Sequence, residues 1–280
     1  MPISQEQINT IFEKSYKNGL SGAGAMTIQV SSLMWLRTTM NYQYKYGGKM
    51  IPTIKTLYSD GGIPRFYRGI VPALMIGPIS RFGDTATNAA AIALFENSGL
   101  PIYLQTASAS IMAGAWRLLT IPIDTWKTSK QVHGNLGNTI IKNKMSQQGI
   151  AGLYQGALAS SVATMVGHYP WFLTYNYLNS YIPKVQYKDD MLTALARNAS
   201  IGFSATLASD MISNSVRVVK TYKQTHPIKI SYSQSIQNII QQDGIYGLLF
   251  RGLKTKIFTN GLQGIVFSVF YKFFSEKFKI

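Results

Sequence analysis

Gly62-Ile-Pro-Arg-Phe-Tyr-Arg-Gly69, Gly149-Ile-Ala-Gly-Leu-Tyr-Gln-Gly156 and Gly244-Ile-Tyr-Gly-Leu-Leu-Phe-Arg-Gly252 are three versions of one pattern. Each opens with Gly-Ile, runs through an aromatic residue and closes on Arg or Gln before a second glycine; the third carries one extra residue. Eight residues before each first glycine stands an isoleucine, Ile54, Ile141 and Ile236, in a short amphipathic stretch. Further upstream a basic residue ends a long helix-like segment in each case: Arg37, Lys127 and Lys220, spaced by 90 and 93 residues. The closing glycines are spaced by 87 and 96, so two landmarks keep one register. Each repeat then reads as a long helix, a short surface helix, a glycine turn and a second long helix. Glycine suits such turns because it adopts positive φ without a Cβ penalty. A period near 90 is too long for the common solenoids of about 20–50 residues, which leaves three helical hairpins closing on themselves.

Composition points to the same architecture. Of the 280 residues 46% are apolar and only 14% charged, against about 25% charged in an ordinary soluble domain. The charge that remains is lopsided, 27 Lys and Arg against 11 Asp and Glu, so the partner surface is anionic: nucleic acid, phospholipid headgroups or an acidic small molecule. Segments 15–42, 70–95, 102–130, 157–182, 190–222 and 253–278 are helix-length and apolar on much of their circumference, yet none is an unbroken apolar run of about 18 residues. Arg, Asp, Asn, Gln, Ser and Thr inside them fit helices that line a watery cavity. Cysteine is absent and there are three histidines, which excludes disulfides and thiolate sites and leaves little for hydrolytic, nucleophilic or metal chemistry; no enzyme, cofactor or metal is expected. Met1 to Lys17 shows neither a secretory signal nor a basic presequence, so any organelle address is expected to be internal.

At the ends of the odd-numbered long segments the chain resembles the mitochondrial carrier family, whose first, third and fifth helices carry Pro-x-acid-x-x-base. Pro122-Ile-Asp124-Thr-Trp-Lys127 meets every position. Ser32-Leu-Met34-Trp-Leu-Arg37 and Ser215-Val-Arg217-Val-Val-Lys220 keep the base but not the proline or the acid, as a divergent member with degenerate gate motifs. The resemblance implies an all-α membrane protein: six transmembrane helices in three pseudo-symmetric repeats, each with a short matrix-side helix, around a central cavity. The repeats would span 1-98, 99-186 and 187-280. It further implies a monomeric, multi-pass protein of the mitochondrial inner membrane that moves a small anionic metabolite, of nucleotide or phosphorylated type, by alternating access. No nucleic acid is expected as partner. A carrier-fold scaffold or receptor that does not transport stays open, because the acids of the gate are depleted.

Carried over residue by residue, the matrix gate is Arg37, Asp124, Lys127, Arg217 and Lys220, with Asp124–Lys220 the one intact inter-helix pair and Arg217 a like-charge neighbour of Arg37. On the other side the even helices end near Asn88, Tyr175-Asn176 and Tyr271-Lys272 without an acid-base pair. The family's mid-cavity windows place substrate contacts at Arg81, at Ala163, Thr164 and His168, and at Thr259, Asn260 and Gln263. His168 reads equally as packing beside Tyr169 and Trp171, and Asp84 as the structural partner of Arg81. Thr27, Arg117 and Asp210 occupy equivalent places on the odd helices, so Arg117 and Asp210 either form a permanent bridge or a charged substrate site. Cardiolipin phosphates are expected at Gly48, Gly69, Gly137, Gly156 and Gly252, next to helix N-termini. Gly19, Gly22 and Gly24, with Ala113 and Gly114, read as close helix packing.

Overall fold

A computed structural model describes residues 5–80, 102–183 and 191–277. The described chain is almost wholly helical. Repeat 1 comprises α1 (Gln5–Tyr46), α2 (Met50–Ser59), α3 (Gly62–Phe66) and α4, described over 70–80. Repeat 2 comprises α5 (Ile102–His133), α6 (Leu136–Gln148), a 3-10 turn (Gly149–Tyr154) and α7 (Ala157–Tyr181). Repeat 3 comprises α8 (Met191–Thr225), α9 (Tyr232–Phe250) and α10 (Leu253–Lys277). The order long helix, short helix, glycine turn, long helix is the one the sequence spacing predicts.

The glycines of the repeated pattern are conformational. Gly62, Gly149 and Gly244 open their turns at φ +63, +60 and +66, and Gly69, Gly156 and Gly252 close them at +98, +84 and +66. Gly244 breaks the α9 hydrogen-bonded run from within, so the third repeat also has a surface helix followed by a turn. A further bond recurs: Thr38 Oγ1 donates to Phe66 O and Thr125 Oγ1 to Leu153 O, each at 2.6 Å and each across 28 residues. Asn214 does the same work in the third repeat through Leu249 O at 2.7 Å.

The closing glycines also join one repeat to the next. A Cβ on Gly69 would lie 3.0 Å from the carbonyl oxygen of Lys127 on α5, and one on Gly156 3.1 Å from that of Lys220 on α8. At Gly252 it would meet the Tyr44 ring at 2.8 Å and Met40 O at 3.3 Å, on α1. Repeat 1 therefore seats on repeat 2, repeat 2 on repeat 3, and repeat 3 on repeat 1. Packing of α1 against α10, of α5 against α7 and of α7 against α8 completes the ring. The α5–α7 contact is close because Gly114 admits Met165 and its carbonyl accepts from Ser161 Oγ at 2.8 Å.

None of the described helices is both long and apolar enough to cross a membrane on its own hydropathy. In α5 the apolar stretch is interrupted by Arg117, Asp124 and Lys127, all of which face the interior described next, whereas α7 carries no Asp, Glu, Lys or Arg and is diluted by Ser, Thr, Tyr and Asn.

Candidate functional site

Between the helices lies a cavity of about 340 Å³. Among the described residues six cationic side chains line it, Arg37 from α1, Arg117 and Lys127 from α5, Arg217 and Lys220 from α8, and Lys256 from α10, against one carboxylate, Asp124. Asp124 accepts from Lys127 Nζ and from Lys220 Nζ at 2.5 Å each, so its charge is shared between its own helix and α8 rather than spent on Lys220 alone. These side chains are only 10–20% exposed, so removing one partner leaves a poorly solvated charge and costs more than it would in a surface ion pair.

One helical turn past each base stands an amide: Asn41 after Arg37, Gln131 after Lys127, Gln224 after Lys220. All three are buried. Asn41 Nδ2 donates to Gln131 Oε1 at 2.6 Å, linking α1 to α5. Gln224 Nε2 donates to Thr125 Oγ1 at 2.8 Å and to Asp124 at 3.3 Å, linking α8 to α5. This layer escaped the sequence reading, although the spacing of four from base to amide on one helix face, shared by α5 and α8, was there to find it; in repeat 1 the Tyr44 ring meets Gly252 where Gln131 and Gln224 meet Gly69 and Gly156. The three closing glycines face Lys127 O, Lys220 O and Met40 O, so Met40 holds in repeat 1 the place of the bases and Arg37 the place of Asp124 and Arg217, which corrects the register that aligns Arg37 with Lys127 and Lys220. Met34, one turn before Arg37, is fully buried in an apolar cluster with Val30 and Ala73 and takes a weak bond from Gln131. It lies off the cavity wall, whereas Arg217, at the acid position of repeat 3, is on it.

The other sequence candidates distribute as follows. Ala163, Thr164, Thr259 and Gln263 line the cavity with Arg117. Arg81 and Asp84 lie outside the described residues. Asp210 sits just behind the wall: Asn260 donates to it and Lys256 Nζ stands 3.9 Å away. Arg117 Nη1 donates instead to Ser80 Oγ at 2.8 Å, so the two charges that symmetry places in one layer have different neighbours. Lys256 opens the even helix of repeat 3 where Ser160 stands in repeat 2, and the sequence's surplus of bases already includes it. His168 makes an edge-to-face contact with Phe172 and is absent from the cavity wall. At the opposite end Asn179 accepts from Arg197 at 3.0 Å, and the same guanidinium caps the carbonyls of Ile182 and Pro183, so a hydrogen-bonded clasp ties α7 to α8 there. Gly48 and Gly137 lie at the starts of α2 and α6, where a Cβ on Gly137 would meet the backbone of Ser129 and Lys130 within 3 Å.

Below the bases three buried cations close the ring from outside. Arg65 donates to the carbonyls of Gln131 and Val132 at the end of α5 and pairs with Asp60. Arg251 donates to Lys45 O at the end of α1 and pairs with Asp243 at 2.8 Å. Lys144 donates to Gln224 O at the end of α8, 2.7 Å, and to Gln155, which in turn bonds Gln148. Cations suit helix C-termini, where carbonyls lack partners. The middle clasp alone has an amide where the others have an aspartate. Burial and the nearby Lys223 charge accordingly lower the Lys144 ammonium to about 8.

Three hairpins in a ring, with bases at the odd-helix ends and a charged central cavity, define an all-helical carrier fold. The sequence profile described as mitochondrial carrier protein matches residues 98–186 and 193–280, and the chain belongs to that family. It is 29% identical over 155 residues to a mitochondrial carrier-like protein of Acanthamoeba polyphaga mimivirus, covering 55% of this chain and 61% of that one. It is 28% identical over 160 residues to the chloroplastic nicotinamide adenine dinucleotide transporter 1 of Arabidopsis thaliana, covering 51% and 49%. It is 27% identical over 198 residues to mitochondrial substrate carrier family protein E of Dictyostelium discoideum, covering 63% and 62%. The chain matches less than two thirds of the length of each of these relatives.

Proposed function

We propose that the chain is a transmembrane carrier that moves a small anionic metabolite across the mitochondrial inner membrane by alternating access. The observation that carries this reading is the cavity wall, six cations against one carboxylate among the described residues. Charges at membrane depth are costly unless they face water, each other or a ligand, and an excess of one sign favours a ligand of the other. In this reading the long helices are the six spans, their polar faces turned inward, and 1-98, 99-186 and 187-280 are the three repeats. Asp124, Lys127 and Lys220 with Arg37 and Arg217 form the matrix gate; Arg117, Ala163, Thr164, Thr259 and Gln263, with Arg81, His168, Asp210 and Asn260, serve the substrate. Cardiolipin headgroups sit by Gly48, Gly69, Gly137, Gly156 and Gly252. A relative named as a nicotinamide adenine dinucleotide transporter supports a phosphate-bearing solute. Liposomes holding the purified chain are expected to exchange or release an anionic metabolite, and Lys220→Ala to abolish the flux. Absence of flux across a broad panel of anions overturns the reading. The second reading, a carrier-fold scaffold, is favoured by the gate acids missing from repeats 1 and 3. It predicts that cellular function survives cavity substitutions and fails on surface ones.

A further inference from the structure

Asp124 neutralises one side of the gate, where it holds both Lys127 and Lys220. The other side is different. Arg217 occupies in repeat 3 the place that Asp124 occupies in repeat 2. Its Nε donates to Ser213 Oγ at 3.1 Å, and its Nη2 lies over the notch left by Gly167, 3.3 Å from where a Cβ would stand. Among the described residues no carboxylate lies within ion-pair distance of it. Arg37 lines the same cavity, and Lys256 sits within electrostatic reach of both arginines. Lys256 is itself steered by Asp210, whose second partner is Asn260.

We infer that this face of the gate is a binding site for a phosphate-bearing anion, held by Arg217 and Lys256 with Arg37, and that the anion supplies the negative charge which the gate motif of repeat 3 lacks. The ligand is then part of the gate: closure at α1 and α8 is completed by the solute itself. The inference rests on the cavity being the transport route. A phosphoryl group fits better than a carboxylate for two reasons. Guanidinium forks donate pairs of parallel bonds that match phosphate oxygens. A phosphate monoester also brings nearly two charges and three acceptor oxygens at neutral pH, as a phosphorylated side chain does, whereas a monocarboxylate brings one charge and two coplanar oxygens.

The test uses the full chain in detergent at constant ionic strength, with melting temperature read against inorganic phosphate, glycerol phosphate, acetate and chloride. Ligand that binds only the folded form raises the melting temperature. Phosphate and its ester are expected to raise it, acetate and chloride not. Arg217→Glu replaces one of the clustered cations of this wall by a carboxylate beside Lys256, so it is expected to raise the ligand-free melting temperature and weaken phosphate binding by at least about ten-fold, a loss of about 1.4 kcal/mol. A gain of ligand-free stability separates this variant from one that merely misfolds, and Lys256→Gln is expected to weaken phosphate binding without that gain. Equal phosphate response in parent and Arg217→Glu overturns the gate site while leaving an anion carrier intact; no response to any anion together with no liposome flux overturns the transport reading as well. Repeating the titration with micelles saturated in cardiolipin separates the two sources of phosphate. A persisting response supports a soluble ligand in the cavity, and its disappearance assigns the phosphate to a lipid headgroup and overturns the proposal.

Discussion

Replacing Asp124 by Asn removes the carboxylate that two lysines share and keeps the side chain's size. Removing one partner of a buried pair costs about 3–5 kcal/mol, because the other charge stays behind. With Asp124 10% exposed and Lys220 19%, the lower end applies, about 3 kcal/mol. At about 1.4 kcal/mol per factor of ten, the junction between α5 and α8 should open on the order of a hundred-fold more often. The chain contains no cysteine, so Thr221→Cys introduces a single thiol at a cavity-lining residue 3% exposed, one position past Lys220. An impermeant maleimide applied on the face carrying α2, α6 and α9 reports opening as an alkylation rate. Asp124→Asn is expected to accelerate labelling about a hundred-fold, the equivalent of that 3 kcal/mol. Lys127→Met should change it much less, since Lys220 keeps its partner. Labelling of the Asp124→Asn protein at the parent rate, or a Lys127→Met effect as large, refutes the assignment of Asp124 as the bridge.

Gly69→Ala and Gly156→Ala should each lower stability by about 1–3 kcal/mol, since both need a left-handed backbone and press on a carbonyl of the next repeat. Gly202→Ala, where a Cβ meets open space inside α8, should be neutral or stabilising by up to about 1 kcal/mol in the same thermal scan. Lys144 is protonated with more difficulty in the folded chain, about 8 against an ordinary 10.5. Between those values the unfolded chain holds the proton that the folded chain has released, so this lysine's cost to stability is full below about pH 8 and is relieved as pH rises above it. The difference in melting temperature between parent and Lys144→Gln should therefore shift in the parent's favour from pH 7 to pH 9, and a pH-independent difference contradicts it. Arg251→Ala, which strips partners from Lys45 O and Asp243, should cost about 1.5–3 kcal/mol in denaturant unfolding. Asp243→Ala should cost less, because that carboxylate is 38% exposed.

The turns were legible because glycine is written into the sequence wherever the backbone needs positive φ: Gly62, Gly149 and Gly244 announce three turns that α-helical propensity alone would not. Lys127 and Lys220 were legible as bases recurring at matching helix ends, whereas Arg37 was aligned one turn out of register because Met40, which holds the base's place in repeat 1, carries no charge to mark it. Partners were harder. Asp124 and Lys220 follow from the motif, yet nothing in the spacing says that Lys127 folds back on the same oxygen pair. The split of Arg117 toward Ser80 and of Asp210 toward Asn260 depends on rotamers and on where α4 and α10 cross, both set by packing across the ring. The layer of Asn41, Gln131 and Gln224 went unseen because amides carry no charge to draw attention and because repeat 1 has Tyr44 where repeats 2 and 3 have glutamine.

The seating of each closing glycine on the following repeat governs what pieces of this chain can exist. A single hairpin offers a glycine with no surface to press on and a helix backbone with nothing pressed on it. A pair satisfies one junction and leaves one donor and one acceptor face at its open ends, which cannot meet across a two-membered ring. The third repeat is therefore the first size at which every junction is filled. A fragment lacking one repeat should survive only by borrowing it from another molecule, so that complementation between fragments, rather than independent folding, is the behaviour this architecture favours.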